Sequence, residues 1–325
     1  MTAKRFQILS LDGGGLKGLF TASFLAKWEK ERGTRVIDHF DLIAGTSTGG
    51  IIAIGLGLGF SAEKIKDLYL NKAEQIFPPK HLAKAKHWLE VKHSAEGLQA
   101  ALQELLGVHK FGESTKRLLI PAYDPAFRGI HIFKTAHHER LQTDYKESAV
   151  HVAMATSAAP TYLPPQVTDS GLQLLDGGVW ANNPVMIAVT EAMGYLEKPQ
   201  SEIAAFRIGT TEEIISLKDL QTMGGMVKMA APVIDFMMRG QSQSASGMVH
   251  HLLGKDRFFE INPKAAPGDF ELDKLSDELL ALGEVEWRHA SSELFDLGFL
   301  EHQAAPFDPV HKIDQLTQQT TARRP

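Results

Sequence analysis

The chain has 325 residues, 43% hydrophobic and 22% charged, and a net charge of −5. That composition reads as a soluble globular protein, with length for one large domain or two modest ones and no overall pull toward nucleic acid or anionic membranes. The absence of cysteine excludes a disulfide framework, thiolate catalysis and thiolate metal sites.

The opening residues MTAKRFQILSL lack the long apolar stretch and small-residue cleavage site of a secretory signal. Phe6–Leu11 has the length of a buried strand, and Leu19–Trp28 carries apolar residues at helical spacing. Between them lies the turn Asp12-Gly13-Gly14-Gly15-Leu16-Lys17-Gly18. A second strand, Asp41–Ala44, leads into Gly45-Thr46-Ser47-Thr48-Gly49-Gly50 and a helix over Gly49–Leu58. The uncharged stretch Leu42–Phe60 holds three hydroxyl residues in tandem and six glycines. It therefore reads as strand, sharp turn and buried helix, because a membrane span needs about 20 mainly apolar residues.

Ser61 is placed to cap a third helix reaching about Phe77. Leu118–Ala122 and Ile130–Phe133 read as strands around an Asp124-Pro125 turn, and Val150–Ser157 as a helix. Leu172–Leu175 is a strand running into Asp176-Gly177-Gly178. Pro184 opens a helix over Val185–Leu196, and Ile203–Ile208 is the next strand. This alternation predicts an α/β fold with a largely parallel sheet. Past about residue 210 the pattern turns mostly helical. Six of the ten methionines fall from Met223 to Met248, at helical spacing in Met223, Met226 and Met229. Methionine fills cores, and its flexible thioether also suits a wall that accepts varied acyl chains. Asp269 to Glu301 carries ten acidic residues against Lys274 and Arg288, a net −8 that would repel anionic lipid. The end, Thr-Ala-Arg-Arg-Pro, reads as a frayed tail.

Gly45-x-Ser47-x-Gly49 fits a nucleophile elbow, in which flanking glycines relieve crowding at a tight strand-to-helix turn. The following helix aims its N-terminus at the serine and favours developing negative charge. The first glycine turn supplies backbone N–H groups for an oxyanion. It also satisfies Gly-x-Gly-x-x-Gly, with Asp38 and Asp41 near the place of the ribose-binding acid, so a nucleotide-binding oxidoreductase is a rival reading. A Walker loop is excluded, because no Gly-Lys-Ser/Thr follows. None of the fourteen histidines stands in a setting that marks it as a base. Asp176, at a strand end before two glycines, is the better candidate, since a carboxylate within reach of the hydroxyl can take its proton. Alanine at Gly14 is expected to cost turnover with little cost in stability.

Asp-Gly-Gly-Gly-x-Lys-Gly, Gly-x-Ser-x-Gly, Ala155-Thr-Ser-Ala-Ala-Pro160 and Asp176-Gly-Gly occur in the order of the patatin-like phospholipases. The resemblance spans about residues 6 to 187. It implies a three-layer α/β/α fold forming a single catalytic domain over 1–325, with a helical C-terminal extension from about 210. It further implies a Ser–Asp dyad hydrolysing phospholipid acyl esters: Ser47 as nucleophile, Asp176 as base, and Gly13, Gly14 and Gly15 as oxyanion hole. Such a scheme requires no metal or cofactor. An unregulated lipid acyl hydrolase and a catalytically silent lipid- or nucleotide-binding module are the alternatives.

The opening FQILSLDGGGLKGLFTASFLAKWE also resembles bacterial patatin-like effectors of cyclic-oligonucleotide antiphage (CBASS) systems. That likeness implies activation by a cyclic dinucleotide, a cytoplasmic protein acting peripherally at the inner face of the membrane, and self-association as an option. No DNA or RNA polymer is expected as partner. Lys80 to His93 carries four lysines against Glu90, with three histidines and Trp88. Lys84 and Lys86 are the candidate ligands for the activator's phosphates, although the segment could equally meet anionic head groups or be a solvated surface.

Overall fold

The computed structural model describes residues 5–76, 95–160, 162–213, 226–266, 268–270 and 272–313, with the backbone alone over 226–235. The strands are β1 (Phe6–Leu11), β2 (Leu42–Gly45), β3 (Arg117–Asp124), β4 (Gly129–Lys134), β5 (Gln166–Val167), β6 (Gln173–Asp176), β7 (Ile203–Ile208), β8 (Glu212–Glu213), β9 (Phe258–Ile261) and β10 (Lys264–Ala265). The helices are α1 (Gly18–Arg32), α2 (Thr48–Gly57), α3 (Ala62–Ile76), α4 (Ala95–Leu106), α5 (Ala149–Thr156), α6 (Gly178–Ala181), α7 (Val185–Gly194), α8 (Met226–Leu253) and α9 (Asp277–Asp296). One sheet runs β5-β6-β3-β2-β1-β7-β9 with β4 paired to β3, while β8 and β10 form a separate short pair. The pairs β1–β2, β1–β7, β2–β3 and β7–β9 are parallel. Those of β3 with β4, β3 with β6 and β5 with β6 are antiparallel.

Helices cover both faces of this sheet. Leu9 and Leu11 of β1, Ile43 of β2 and Phe206 of β7 pack toward α1–α5 and α9. Phe6 and Ile8, Leu42 and Ala44, and Ala205 pack toward Val185 and Val189 of α7 and Val249 and Leu253 of α8. A strand buried on both faces is mostly apolar and need not alternate, and β1 is buried at every position, with Gln7 and Ser10 its only polar residues. The acidic helix α9 turns a stripe of Leu279, Gly283, Trp287, Ala290 and Leu294 inward. Trp287 stacks on Trp28 at 5.4 Å and meets Phe24 edge-on at 5.6 Å. The C-terminal region is thus part of the main core. It also contributes β9 to the sheet, a four-residue strand absent from the reading of the sequence.

The site is positioned by a change of partner along β3. Leu119 pairs with Ala44 of β2 on one edge and Lys134 of β4 on the other. Three residues on, Ala122 still pairs with β4, at His131, but its other partner is now Asp176 of β6. Had β2 continued in register, Ser47 would lie opposite Ala122. The chain instead leaves the sheet at the elbow, and β6 enters the vacated edge carrying Asp176. Among the described residues, no helix is long and apolar enough to cross a membrane. Lys84, Lys86 and the rest of Lys80 to His93 lie outside the described residues, as does Met223.

Candidate active site

Ser47 sits between β2 and the buried helix α2 with φ 54 and ψ −122, a conformation L side chains seldom adopt. The turn closes only around glycine: a Cβ at Gly45 would lie 2.2 Å from the Gly49 carbonyl oxygen, and one at Gly49 2.2 Å from that of Leu11. The Ser47 amide donates to Thr156 Oγ1 (3.0 Å), whose hydroxyl donates in turn to the Pro121 carbonyl (2.6 Å). Thr46 Oγ1 donates to the Ala181 carbonyl at 2.6 Å. Thr156 belongs to the Ala155–Pro160 motif, but its role as a bridge between the elbow and β3 was not legible in the sequence.

Ser47 Oγ donates to Asp176 Oδ2 at 2.7 Å, and Asp176 Oδ1 accepts from the Gly178 amide at 2.6 Å. The Asp176 backbone is held too, its amide donating to the Ala158 carbonyl at 3.0 Å. Burial pushes the Asp176 carboxyl up to about 6, against the lowering effect of the Gly178 and Ser47 hydrogen bonds. The carboxylate is therefore ionised at neutral pH, yet more basic than an exposed aspartate.

The glycine loop lies alongside. Gly13 donates its amide to the Asn182 carbonyl (3.0 Å), and Leu16 donates to Leu272 (2.8 Å). Among the described residues, the Gly14 and Gly15 amides donate to no acceptor, and both residues line the cavity that holds Ser47. Asp12, at the root of the loop, is buried and accepts from Arg207 Nε of β7 at 3.1 Å. Arg207 also donates to Glu260 (2.7 Å) and to Ser242 of α8 (2.8 Å). Burial acts to lower the Arg207 pKa, but the Asp12 and Glu260 carboxylates outweigh it and hold the guanidinium charged. Neither acid of the nucleotide-binding alternative ends the second strand. Asp41 precedes β2 and accepts from the Gln7 amide (2.8 Å), while Asp38 accepts from the Arg35 amide in a short turn.

A cavity of about 330 Å³ opens from the dyad, walled by Ile51, Leu68, Leu98, Leu163, Met237 and Met238. That lies at the small end of the ~300–1,000 Å³ usual for ligand pockets, and its wall is almost wholly apolar. Val179 and Met237, both exposed, belong to that wall. Among the described residues, no histidine does. An alanine at Gly14 would bring its Cβ to 2.1 Å from Thr210 Oγ1 and 2.5 Å from Thr210 Cβ. Because Thr210 is buried, that substitution costs stability as well as turnover, contrary to the expectation from sequence. Glu147, His151 and Asp169 form a cluster with metal-ligand spacing. Its carboxylates already accept from Lys110 and from the Ser148, Asp169 and Ser170 amides.

Residues 9–189 match the patatin-like phospholipases. The chain belongs to that family. It is accordingly a serine lipid acyl hydrolase. It is 32% identical over 309 residues to a cGAMP-activated phospholipase of Pseudomonas aeruginosa, covering 94% of this chain and 90% of that one. A cGAMP-activated phospholipase of Vibrio cholerae is 30% identical over 323 residues, covering 89% of this chain and 91% of the relative. Among solved structures, VipD from Legionella pneumophila aligns with a TM-score of 0.47 at 14% identity, over 90% of this chain and 67% of its own.

Proposed function

We propose that this patatin-like phospholipase cleaves phospholipid acyl esters with Ser47 as nucleophile and Asp176 as base. The observation that carries this is the 2.7 Å hydrogen bond from Ser47 Oγ to Asp176 Oδ2 at the head of an apolar cavity. Asp176 takes the serine proton as Oγ bonds the ester carbonyl carbon. The resulting oxyanion is stabilised by the Gly14 and Gly15 amides and the N-terminus of α2, while the Gly13 amide, bonded to Asn182, holds the loop in place. The tetrahedral centre collapses, and the departing alkoxide takes the proton from Asp176. Water then attacks the acyl-serine with Asp176 again accepting a proton, which it returns to Ser47 Oγ as the acyl–oxygen bond breaks and the fatty acid leaves. The apolar cavity holds the acyl chain, and exposed Val179 and Met237 let a lipid enter from a bilayer.

The reading extends to regulation. The names of the relatives support a cyclic dinucleotide as activator; a role as an antiphage effector degrading the membrane of its own cell from the cytoplasmic side rests on the likeness of FQILSLDGGGLKGLFTASFLAKWE to such effectors. The helices past 210 pack on both faces of the sheet, α9 on one and α8 on the other, which supports one catalytic domain. The test is release of fatty acid from phospholipid vesicles with and without cGAMP and other cyclic di- and trinucleotides. At least about tenfold stimulation by one of them is expected, an ordinary coupling of about 1.4 kcal/mol. Lys84→Glu and Lys86→Glu should raise the nucleotide concentration needed without lowering the maximal rate. Full activity without nucleotide, together with no binding by calorimetry, would leave an unregulated lipid acyl hydrolase.

A further inference from the structure

Beside the strand that carries Asp176, one corner of the sheet stays apolar and open among the described residues. Ile130 of β4, Tyr123 of β3 and Leu175 of β6 are paired across adjacent strands, and side chains paired in this way share a face. It is the face opposite Ala122 and Leu174, which point into the core. Val167 of β5, paired with Gln173 of β6, stands on the same face. Nearer the middle of the sheet, Leu119 and Ile132 on that face are covered by α7 and α8. The corner is not: Ile130 is 60% exposed and Val167 53%, with Tyr123 and Leu175 partly exposed between them.

The β3–β4 turn extends this corner outward. Its strand pairing ends at Asp124, two residues past Ala122, the partner of Asp176, so the turn stands at the dyad's end of the sheet. Asp124 Oδ1 accepts from the Ala126 and Phe127 amides, at 2.9 and 3.0 Å, and so fixes the shape of the turn. Phe127 projects from it 83% exposed, and its neighbour Arg128 is the turn's exposed charge. Single apolar side chains on a surface are ordinary, whereas an aromatic tip joined to an apolar row marks an interaction surface.

We propose that the Phe127 turn and the Ile130–Tyr123–Leu175 corner seat the enzyme on a lipid bilayer; the proposal rests on the phospholipase reading above. Three features select a bilayer as the occupant. Val179 of the cavity wall is followed by Trp180, whose indole donates to the Ala122 carbonyl of β3 at 2.9 Å, so the corner adjoins the mouth through which lipid enters. Tyr123 and Trp180 are of the type that gathers at membrane–water boundaries. Arg128 presents positive charge to anionic head groups, while the acidic helix α9 packs on the other face of the sheet, against Phe24 and Trp28. Phe127 then enters the acyl boundary and holds the cavity mouth against the membrane.

The test uses vesicles of phosphatidylethanolamine with a minority of phosphatidylglycerol, with and without cGAMP, and the full chain carrying Ser47→Ala so that the lipid survives. In that background Phe127→Ala should weaken co-sedimentation about tenfold, and Phe127→Trp should retain it. Emission of the Phe127→Trp chain should be quenched by brominated lipid more than that of its parent. With Ser47 in place, Phe127→Ala should slow fatty-acid release from vesicles and leave hydrolysis of dissolved p-nitrophenyl butyrate unchanged. Equal vesicle binding by parent and Phe127→Ala, or no added quenching, would overturn the docking face alone. Hydrolysis of the nitrophenyl ester by the wild type, with no release from vesicles, would overturn the phospholipase reading and this face with it. A dimer seen by sedimentation velocity and lost in Phe127→Ala, with vesicle binding unchanged, would assign the corner to a second copy of the chain.

Discussion

Replacing Asp176 by asparagine should abolish turnover and stabilise the protein at neutral pH. Burial raises this carboxyl from 3.8 to about 6, so the folded protein holds its proton more tightly than the unfolded chain does. At about 1.4 kcal/mol for each pH unit of displacement, the ionised form is disfavoured in the folded state by about 3 kcal/mol. The penalty vanishes well below pH 3.8, grows as pH rises through the interval and levels off above about 6. Asparagine keeps an oxygen to accept from the Gly178 amide, and its Nδ2 can donate to Ser47 Oγ. It does not titrate. The assay is urea unfolding of wild type and Asp176→Asn at several pH values. The difference in unfolding free energy should move in favour of the variant by about 2.5 kcal/mol between pH 4 and pH 7.5. Effects of the substitution that do not depend on pH cancel in that comparison. A flat difference, or one moving the other way, would refute the claim that Asp176 is held as a destabilised buried base.

Ser47→Ala should remove ester hydrolysis with the fold intact, and measurable turnover near the wild-type rate would exclude Ser47 as nucleophile. Ser47→Gly should be more stable than Ser47→Ala by about 1 kcal/mol in chemical denaturation, because glycine relieves the strained elbow. In the wild type, kcat/KM should fall about tenfold per pH unit below about 6, where Asp176 becomes protonated; a profile level down to pH 4.5 would exclude Asp176 as base. Thr156→Val removes the hydroxyl that joins the Ser47 amide to the Pro121 carbonyl. Unfolding should show a loss of about 1–3 kcal/mol, with turnover reduced in the folded fraction.

Local chemistry made much of this protein readable in one dimension. A strand buried on both faces is mostly apolar, so β1 and β7 stand out in the sequence despite Gln7, Ser10 and Arg207. A serine elbow with a carbonyl 2.2 Å from where each flanking Cβ would lie tolerates only glycine, so Gly45 and Gly49 mark the turn wherever it falls. Asp176 could be chosen as base because a strand end followed by two glycines is a place where a carboxylate can be presented. The distant relations were of another kind. Ser47 and Asp176, 129 positions apart, meet because β6 replaces β2 along one edge of β3, a matter of register that no local pattern encodes. The Gly13 amide is taken by Asn182, while Gly14 and Gly15, whose amides have no acceptor among the described residues, line the cavity that holds Ser47. Asp12 is neutralised by Arg207, 195 residues away, through the pairing of β1 with β7. The four residues of β9 are too few to show a period, and form a strand only because β7 offers them an edge. Sequence fixes which backbone shapes and burial patterns each segment accepts, whereas sheet register and helix packing decide which distant segments share a cavity.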